Sequence, residues 1–283
     1  MGIKEFLRGR VSDEELKKVT RSFEIIGDVV VINLPDDVMH LKDLIVQAIL
    51  SRHKNVKTIL RKIGEVGGVY RVARYEILYG EKTETIAKEF GCRFLVDPTK
   101  VYYSSKLSTE RGRIARLVRE GERVLVMFAG VGPYAILIAR LSKPKEVIGV
   151  EINPIAVEYF KKNVILNKVQ DVVKVYEGDV RDVVPKLEGR FDRILMPAPY
   201  SAEDFVYLLK DKVKIGGFVH YYTFAGEEEE SKLPLRVKDL FRKHGIIVDV
   251  ACMRVCGSFA PRVYRFVLDL KVVGLTDSKN NIM

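Results

Sequence analysis

The chain of 283 residues has no tryptophan, only three cysteines (Cys92, Cys252, Cys256) and four histidines. No two cysteines form a CxxC pair, so the spacing of a zinc site or a disulfide framework is missing and reduced thiols are expected. Cys252 and Cys256 stand four apart beside an expected strand and read as packing residues. No apolar run reaches the length that crosses a bilayer, and the first residues alternate in charge, unlike a secretory leader. The expectation is a cytoplasmic protein without membrane partner or metal. Hydrophobic residues make up 47% of the chain, enough for a sizeable core. Acid is in deficit: the net charge is +10. A basic balance favours an anionic partner, nucleic acid first. A basic or heat-adapted surface of an ordinary enzyme is the competing explanation, with 30% of residues charged.

The chain is organised around Val124-Leu-Val-Met-Phe-Ala-Gly-Val-Gly-Pro-Tyr134. An apolar strand pattern runs into Gly130 and Gly132, and a helical stripe follows (Tyr134, Leu137, Ile138, Leu141). Strand, glycine turn and helix in this order mark the nucleotide-binding turn of a Rossmann-like sheet, or else a structural turn in another α/β sheet. The next strand, Glu146–Val150, ends at Glu151, about 20 residues on, where such sheets place an acid on the ribose hydroxyls. The third, Val172–Tyr176, leads to Glu177-Gly-Asp-Val180. There Asp179 is placed to accept a hydrogen bond from an amino group such as that of adenine. The fourth, Phe191–Met196, ends in the stiff Pro197-Ala-Pro-Tyr200. A closing pair of strands, Ile246–Val255 and Tyr264–Val273, predicts a mostly parallel sheet with an antiparallel end.

Upstream, residues 1–95 read as a small α+β domain and 96–283 as the Rossmann-like one. Ser12 caps a short helix, a hairpin turns at Gly27-Asp28, and a helix opens at Pro35-Asp-Asp. Strands follow at Val56–Leu60 and Tyr70–Leu78, separated by a glycine turn at 64–68. Arg52, Lys54, Lys57, Arg61, Lys62, Arg71 and Arg74, interleaved with Tyr70, Tyr75 and Tyr79, suit phosphate contact and base stacking, or an ordinary solvated sheet face. Phe90–Pro98 is taken as the transition between domains. An aromatic strand from Lys100 then runs into a polar loop, and a helix starts near Ser108. Arg111 in its first turn opposes the helix dipole, so it either binds an anion or is merely solvated.

Six segments taken together are similar to one family: Phe128–Tyr134, Glu151-Ile-Asn-Pro, Asn163–Asn167, Gly178–Asp182, His220-Tyr-Tyr and Tyr102–Arg111. It comprises the archaeal and eukaryotic tRNA guanine-37 N1-methyltransferases and their relatives in wybutosine synthesis, and the match covers about residues 95–270. The resemblance implies a class I S-adenosylmethionine (AdoMet)-dependent fold with a small N-terminal α+β domain, and AdoMet as co-substrate without a metal. It also implies a cytoplasmic, monomeric enzyme acting on the anticodon loop of tRNA(Phe). Ser104, Arg111, Phe128, Gly130, Gly132, Glu151, Asp179, Val180 and Pro197 fall at cofactor positions. Glu110 matches the general base, and Lys106 stands beside it as a second catalytic candidate.

Two residue departures point within the family. The methyltransferases carry an asparagine at the end of the fourth strand, and here that position is Pro197. They carry Ser-Pro-Arg ahead of the Glu-Arg pair, and here it is Ser104-Ser-Lys106. The chain also looks too short for the extra N-terminal domain common among them. The expectation is transfer of the 3-amino-3-carboxypropyl group of AdoMet onto 4-demethylwyosine at position 37, with guanine-37 N1-methylation as the alternative. A non-catalytic RNA-binding protein that kept the fold is the rival from another class.

Overall fold

A computed structural model describes residues 2–20, 22–68, 70 and 72–276. Arg71, read above, and the tail from residue 277 lie outside these residues. The chain divides into two units, 1–106 and 107–283.

In the first unit, two short helices, α1 (Ile3–Leu7) and α2 (Asp13–Lys18), precede a four-stranded sheet. Ser12 caps α2: its hydroxyl accepts from the Glu15 amide at 3.3 Å, and the Glu15 carboxylate accepts from the Ser12 amide at 2.8 Å. Strands β1 (Phe23–Ile26) and β2 (Val29–Ile32) form the expected hairpin. Strand β3 (Thr58–Gly67) pairs parallel to β2 and antiparallel to β4 (Val72–Tyr79). A parallel pair needs a crossover. A 3-10 turn (Asp36–Leu41) and α3 (Lys42–Arg52) supply it, burying Val38, Leu41, Ile45 and Ile49 with Val30, Ile32 and Ile59. The glycine turn expected at 64–68 is mostly strand, since β3 continues to Gly67.

Phe90–Pro98 is no linker. It holds the turn and second strand of a hairpin, β5 (Thr85–Glu89) with β6 (Cys92–Val96). Phe90 and Gly91 both take positive φ, 47° and 80°, the backbone of a tight two-residue hairpin turn. The sequence signal was weak because a phenylalanine occupies a position that usually goes to Asn, Asp or Gly. No strand forms at Lys100–Tyr103. The Asp97 carboxylate instead accepts from the amide and hydroxyl of Thr99, at 3.0 and 2.6 Å, and turns the chain. The first unit therefore ends at Lys106, beyond the boundary expected after residue 95.

The second unit opens with α4 (Ser108–Leu117), then alternates β7 (Arg123–Val126), α5 (Pro133–Leu141), β8 (Glu146–Glu151), α6 (Pro154–Leu166) and β9 (Val173–Glu177). A one-turn helix, α7 (Val180–Val183), leads to β10 (Phe191–Met196) and β11 (Val213–Gly226). Helix α8 (Leu233–Lys243) and the long hairpin β12 (Ile246–Ala260) and β13 (Val263–Leu275) complete it. The seven strands lie in the order β9-β8-β7-β10-β11-β13-β12. All neighbours from β9 to β11 are parallel, while β13 runs antiparallel to both β11 and β12. The strand order reverses between β7 and β10, and ligands of such sheets collect in the crevice at the carboxyl ends beside that point. Val124, Leu125 and Val126 are wholly buried, as expected where helices cover both faces of a parallel sheet.

Candidate active site

The glycine turn leaves the carboxyl end of β7. The Met127 amide donates to the Leu195 carbonyl at 3.0 Å and the Ala129 amide to Val150 at 2.9 Å, so the turn is pinned to the strands on either side. Phe128 and Gly130 adopt φ of 55° and 58°. Gly132, at φ 86°, caps α5, and Pro133 fills the first helical position, where no N–H is missed. A Cβ on Gly132 would lie 2.0 Å from Cδ2 of Phe160. This glycine is thus required by the packing of α6 against the turn and by its left-handed φ.

Glu151, at the end of β8, is 9% exposed. Its carboxylate accepts from the Gly130 amide at 2.6 Å and from the Asn153 amide at 2.8 Å. Burial pushes its pKa up, and the amides of Asn153, Gly130 and Ile152 oppose that rise. The two strongest motifs of the sequence are therefore joined by one hydrogen bond. Asp179, after β9, caps α7 and accepts from the Arg181 amide at 2.8 Å and from Arg181 Nε at 3.0 Å. The Arg181 guanidinium, first among the causes, holds the Asp179 carboxyl below its usual range. Val180 is buried beside it. Pro197 follows β10 directly, and the Phe128 ring stands 5.0 Å from that of Phe205.

Glu110, Arg111, Gly130, Gly132, Glu151, Asp179, Val180 and Pro197 all belong to the second unit, and Ser104 and Lys106 end the first. The Ser104 hydroxyl donates to Glu24 at 2.9 Å, and the Ser105 amide to the same oxygen at 2.6 Å. Lys106 is exposed. Arg111 is only 2% exposed, so it is not the solvated arginine of the bland reading.

Glu110 is 6% exposed and heads a buried string of polar groups that sequence reasoning missed. Both its oxygens accept from Arg113, each at 2.8 Å, and Oε1 also accepts from the Tyr222 hydroxyl at 3.0 Å. The Tyr134 and Tyr222 hydroxyls are 3.0 Å apart. Arg113 continues to Asp269, Asp269 to Nδ1 of His220 at 2.6 Å, and His220 Nε2 to Arg193 at 2.7 Å. Arg193 ends the string on Glu122 at 2.8 Å. Burial raises the Tyr134 pKa and lifts that of Tyr222 well above its usual value, so both hydroxyls keep their protons. One signal was available. Arg193, His220 and Asp269 each lie inside a strand next to apolar residues (Ile194; Val219 and Tyr221; Leu268 and Leu270), and an ionisable group there must find a partner.

Among the described residues, no helix is long and apolar enough to cross a membrane, and no cluster of His, Cys, Asp or Glu suits a metal ion.

A seven-stranded sheet of this order, with a glycine turn after β7 and an acid after β8, defines the AdoMet-dependent transferase class. The match to the TRM5/TYW2 methyltransferase domain spans residues 85–249, and that to the TYW2 N-terminal domain spans residues 3–83. The chain belongs to the TRM5/TYW2 family.

Relatives within it differ in activity. The tRNA (guanine(37)-N(1))-methyltransferase Trm5b of Pyrococcus abyssi is 38% identical over 92% of this chain and 77% of its own. Its crystal structure matches with a TM-score of 0.83, covering 93% of this chain and 78% of that one. The tRNA 4-demethylwyosine(37)-methyltransferase Taw21 of Saccharolobus solfataricus is 36% identical over 93% and 97%. The tRNA(Phe) (4-demethylwyosine(37)-C(7)) aminocarboxypropyltransferase of Pyrococcus horikoshii is 32% identical over 95% and 96%. The crystal structure of P. horikoshii TYW2 with MeSAdo has a TM-score of 0.77 at 30% identity, covering 95% and 97%.

Proposed function

We propose that this chain transfers the 3-amino-3-carboxypropyl group of AdoMet to 4-demethylwyosine at position 37 of tRNA(Phe). The observation that carries the reading is the end of β10. There Met196 runs into Pro197-Ala-Pro199, so the position that holds a side-chain amide in guanine-37 methyltransferases offers neither an amide nor an N–H. The acceptor is supported by relatives of both activities, Taw21 and the aminocarboxypropyltransferase, each matched over 96% or more of its length. The Taw21 relative, at 36% identity, also favours a second reading: methyl transfer to the same base.

The residues present fit AdoMet. Glu151 is held rigidly by two backbone amides, and a carboxylate has lone pairs beyond those for ribose hydroxyls. Phe128 and Val180 offer apolar contact to the adenine. Asp179 accepts from its amino group by exchanging the exposed Arg181. The buried Arg111 is our choice for the carboxylate of the amino-acid arm. Ser104 and Lys106 rest on the family resemblance alone. AdoMet supplies a sulfonium with three activated carbons, and the one presented in line to the nucleophile is the one that reacts. A ring carbon that forms the new bond must lose its proton. Glu110 takes that proton by releasing Arg113 or Tyr222, since both its oxygens are engaged. The three free cysteines fit a reaction in the reducing cytoplasm.

The test uses tRNA carrying 4-demethylwyosine and AdoMet labelled either in the methyl or in the amino-acid arm, with mass analysis of the nucleosides. Arm label in the nucleoside and 5′-methylthioadenosine as co-product are expected. Methyl label with S-adenosylhomocysteine would establish the second reading, and incorporation of neither label would overturn both.

A further inference from the structure

Three aromatic side chains cluster at one edge of the second unit. Tyr200 follows β10, Phe224 lies near the end of β11, and Phe259 lies near the end of β12. Their ring centroids are 4.6 Å apart for Tyr200 and Phe224, 5.3 Å for Tyr200 and Phe259, and 4.5 Å for Phe224 and Phe259. A cluster serving only to fill a core would be buried. Here Tyr200 is 51% and Phe259 48% exposed. Large rings left half in water at a strand end carry a solvation cost that an incoming flat apolar surface would relieve.

The surrounding charge says which surface. The Arg265 guanidinium lies 5.4 Å from the Phe224 centroid. Arg254 on β12 and Arg262 in the β12–β13 turn are exposed. The acidic run after β11 begins nearby, with the Glu227 amide on the Arg262 carbonyl at 3.0 Å, but Glu229 turns to the Gly226 amide at 3.0 Å and to Arg236 at 3.6 Å. Exposed aromatic faces interleaved with arginines are what stacks an unpaired base while neutralising its phosphate.

Topology then extends this cluster outward from the reacting base. Strands β10, β11 and β12 run in one direction, so all three rings lie at the carboxyl edge that also carries Gly130 and Glu151. Phe259, however, stands on β12, four strands from β7 in the sheet order. At the usual strand spacing the β12 backbone is about 19 Å from β7, so the cluster reaches outward from Tyr200, beside β10, toward the far edge of the sheet and away from the glycine turn.

We propose that Tyr200, Phe224 and Phe259 form a stacking platform for an unpaired base of the RNA acceptor, a neighbour of the base that is modified. The platform rests on the reading of this chain as a tRNA transferase and adds to it a contact that holds the loop open while its neighbour reacts.

The test places 2-aminopurine, one position at a time, on either side of position 37 in an anticodon stem-loop and titrates it with the full chain. Stacking on the wild-type protein is expected to quench the fluorescence of one of these probes. Phe259→Leu and Tyr200→Leu, which keep apolar volume, are expected to abolish that quenching and weaken RNA binding about 5- to 100-fold. AdoMet affinity and thermal midpoint should stay within error of wild type. Unchanged quenching in both variants overturns the platform. So does concentration-dependent self-association of the wild type that Phe259→Leu abolishes, because a second copy then covers the rings. If wild-type protein transfers a group to tRNA while the platform variants bind RNA normally, the inference fails and the assigned reaction stands. If no transfer occurs at all, the reaction fails first.

Discussion

Arg113 and Asp269 face each other as a two-pronged ion pair, with Nη1 to Oδ2 at 2.6 Å and Nη2 to Oδ1 at 3.0 Å. They join α4, which carries Glu110, to β13, the one antiparallel strand of the large sheet. Asp269 is 5% exposed and is also the partner of His220. Removing it leaves the buried His220 Nδ1 without its acceptor and Arg113 with Glu110 alone. Asp269→Ala should therefore destabilise the second unit by about 3–5 kcal/mol. Urea unfolding of Asp269→Ala and Arg113→Met, singly and together, checks this: the double variant should be less damaged than the sum of the two.

The same string makes stability depend on pH. Burial, the largest cause, holds the His220 imidazole below its ordinary 6.5; Arg193 and Arg113 act in the same direction, and Asp269 opposes them. A base with a depressed folded-state pKa gains a proton on unfolding. The contribution of neutral His220 is therefore complete above pH 6.5 and is lost as pH falls through its lower folded value. The thermal midpoint of the wild type should fall between about pH 7 and 5. In His220→Gln that slope should be shallower, although the variant is less stable at neutral pH. Equal slopes in calorimetry would refute the assignment.

Glu151 is predicted to trade stability for binding. Its ionised form is disfavoured by burial and repaid in part by two backbone amides. A glutamine offers one acceptor oxygen and turns an amide group toward the other N–H. Hydrogen bonds to a charged group are each worth about 1.5–3 kcal/mol. Glu151→Gln should thus weaken AdoMet binding roughly 10- to 150-fold by titration calorimetry, with the circular dichroism of the fold retained.

Gly132 admits no side chain. Its φ of 86° is strained for any L-residue, and the added Cβ would sit 2.0 Å from Phe160. Gly132→Ala should cost about 2 kcal/mol or more. Phe160→Ala costs about 3–5 kcal/mol by itself, but combined with Gly132→Ala the total loss should be less than the sum of the two, since Cγ, Cδ2 and Cε2, the atoms the new Cβ meets, are gone. Thermal melts of the two single variants and the double variant decide it.

Much of this was legible before any coordinates. The Ser12 cap, the Gly27 hairpin, the strand–turn–helix at residues 124–141 and the acids after β8 and β9 all follow from local rules of periodicity and turn chemistry. Where the reading went astray, the local signal was weak. Phe90 in a tight turn lacks the residue type that advertises such turns, and Lys100–Tyr103 alternates like a strand, but the Asp97 carboxylate turns the chain at Thr99 instead. The sequence leaves Arg111 open between an anion-binding and a solvated cation, because only its place in the helix is visible there, not its burial.

The amino-acid sequence by itself determined the elements, their order and the positions at which a nucleotide-like ligand could be held. Those depend on contacts within a few residues, where backbone geometry and side-chain period leave few choices. Only the tertiary structure decided which groups meet. It laid Glu151 on the Gly130 amide and strung Glu110, Arg113, Asp269 and His220 into one buried line. It set β13 between β11 and β12, bringing Phe224 and Phe259 together. These partners lie far apart in the chain, and their meeting depends on strand order and register, which the burial of the whole core selects.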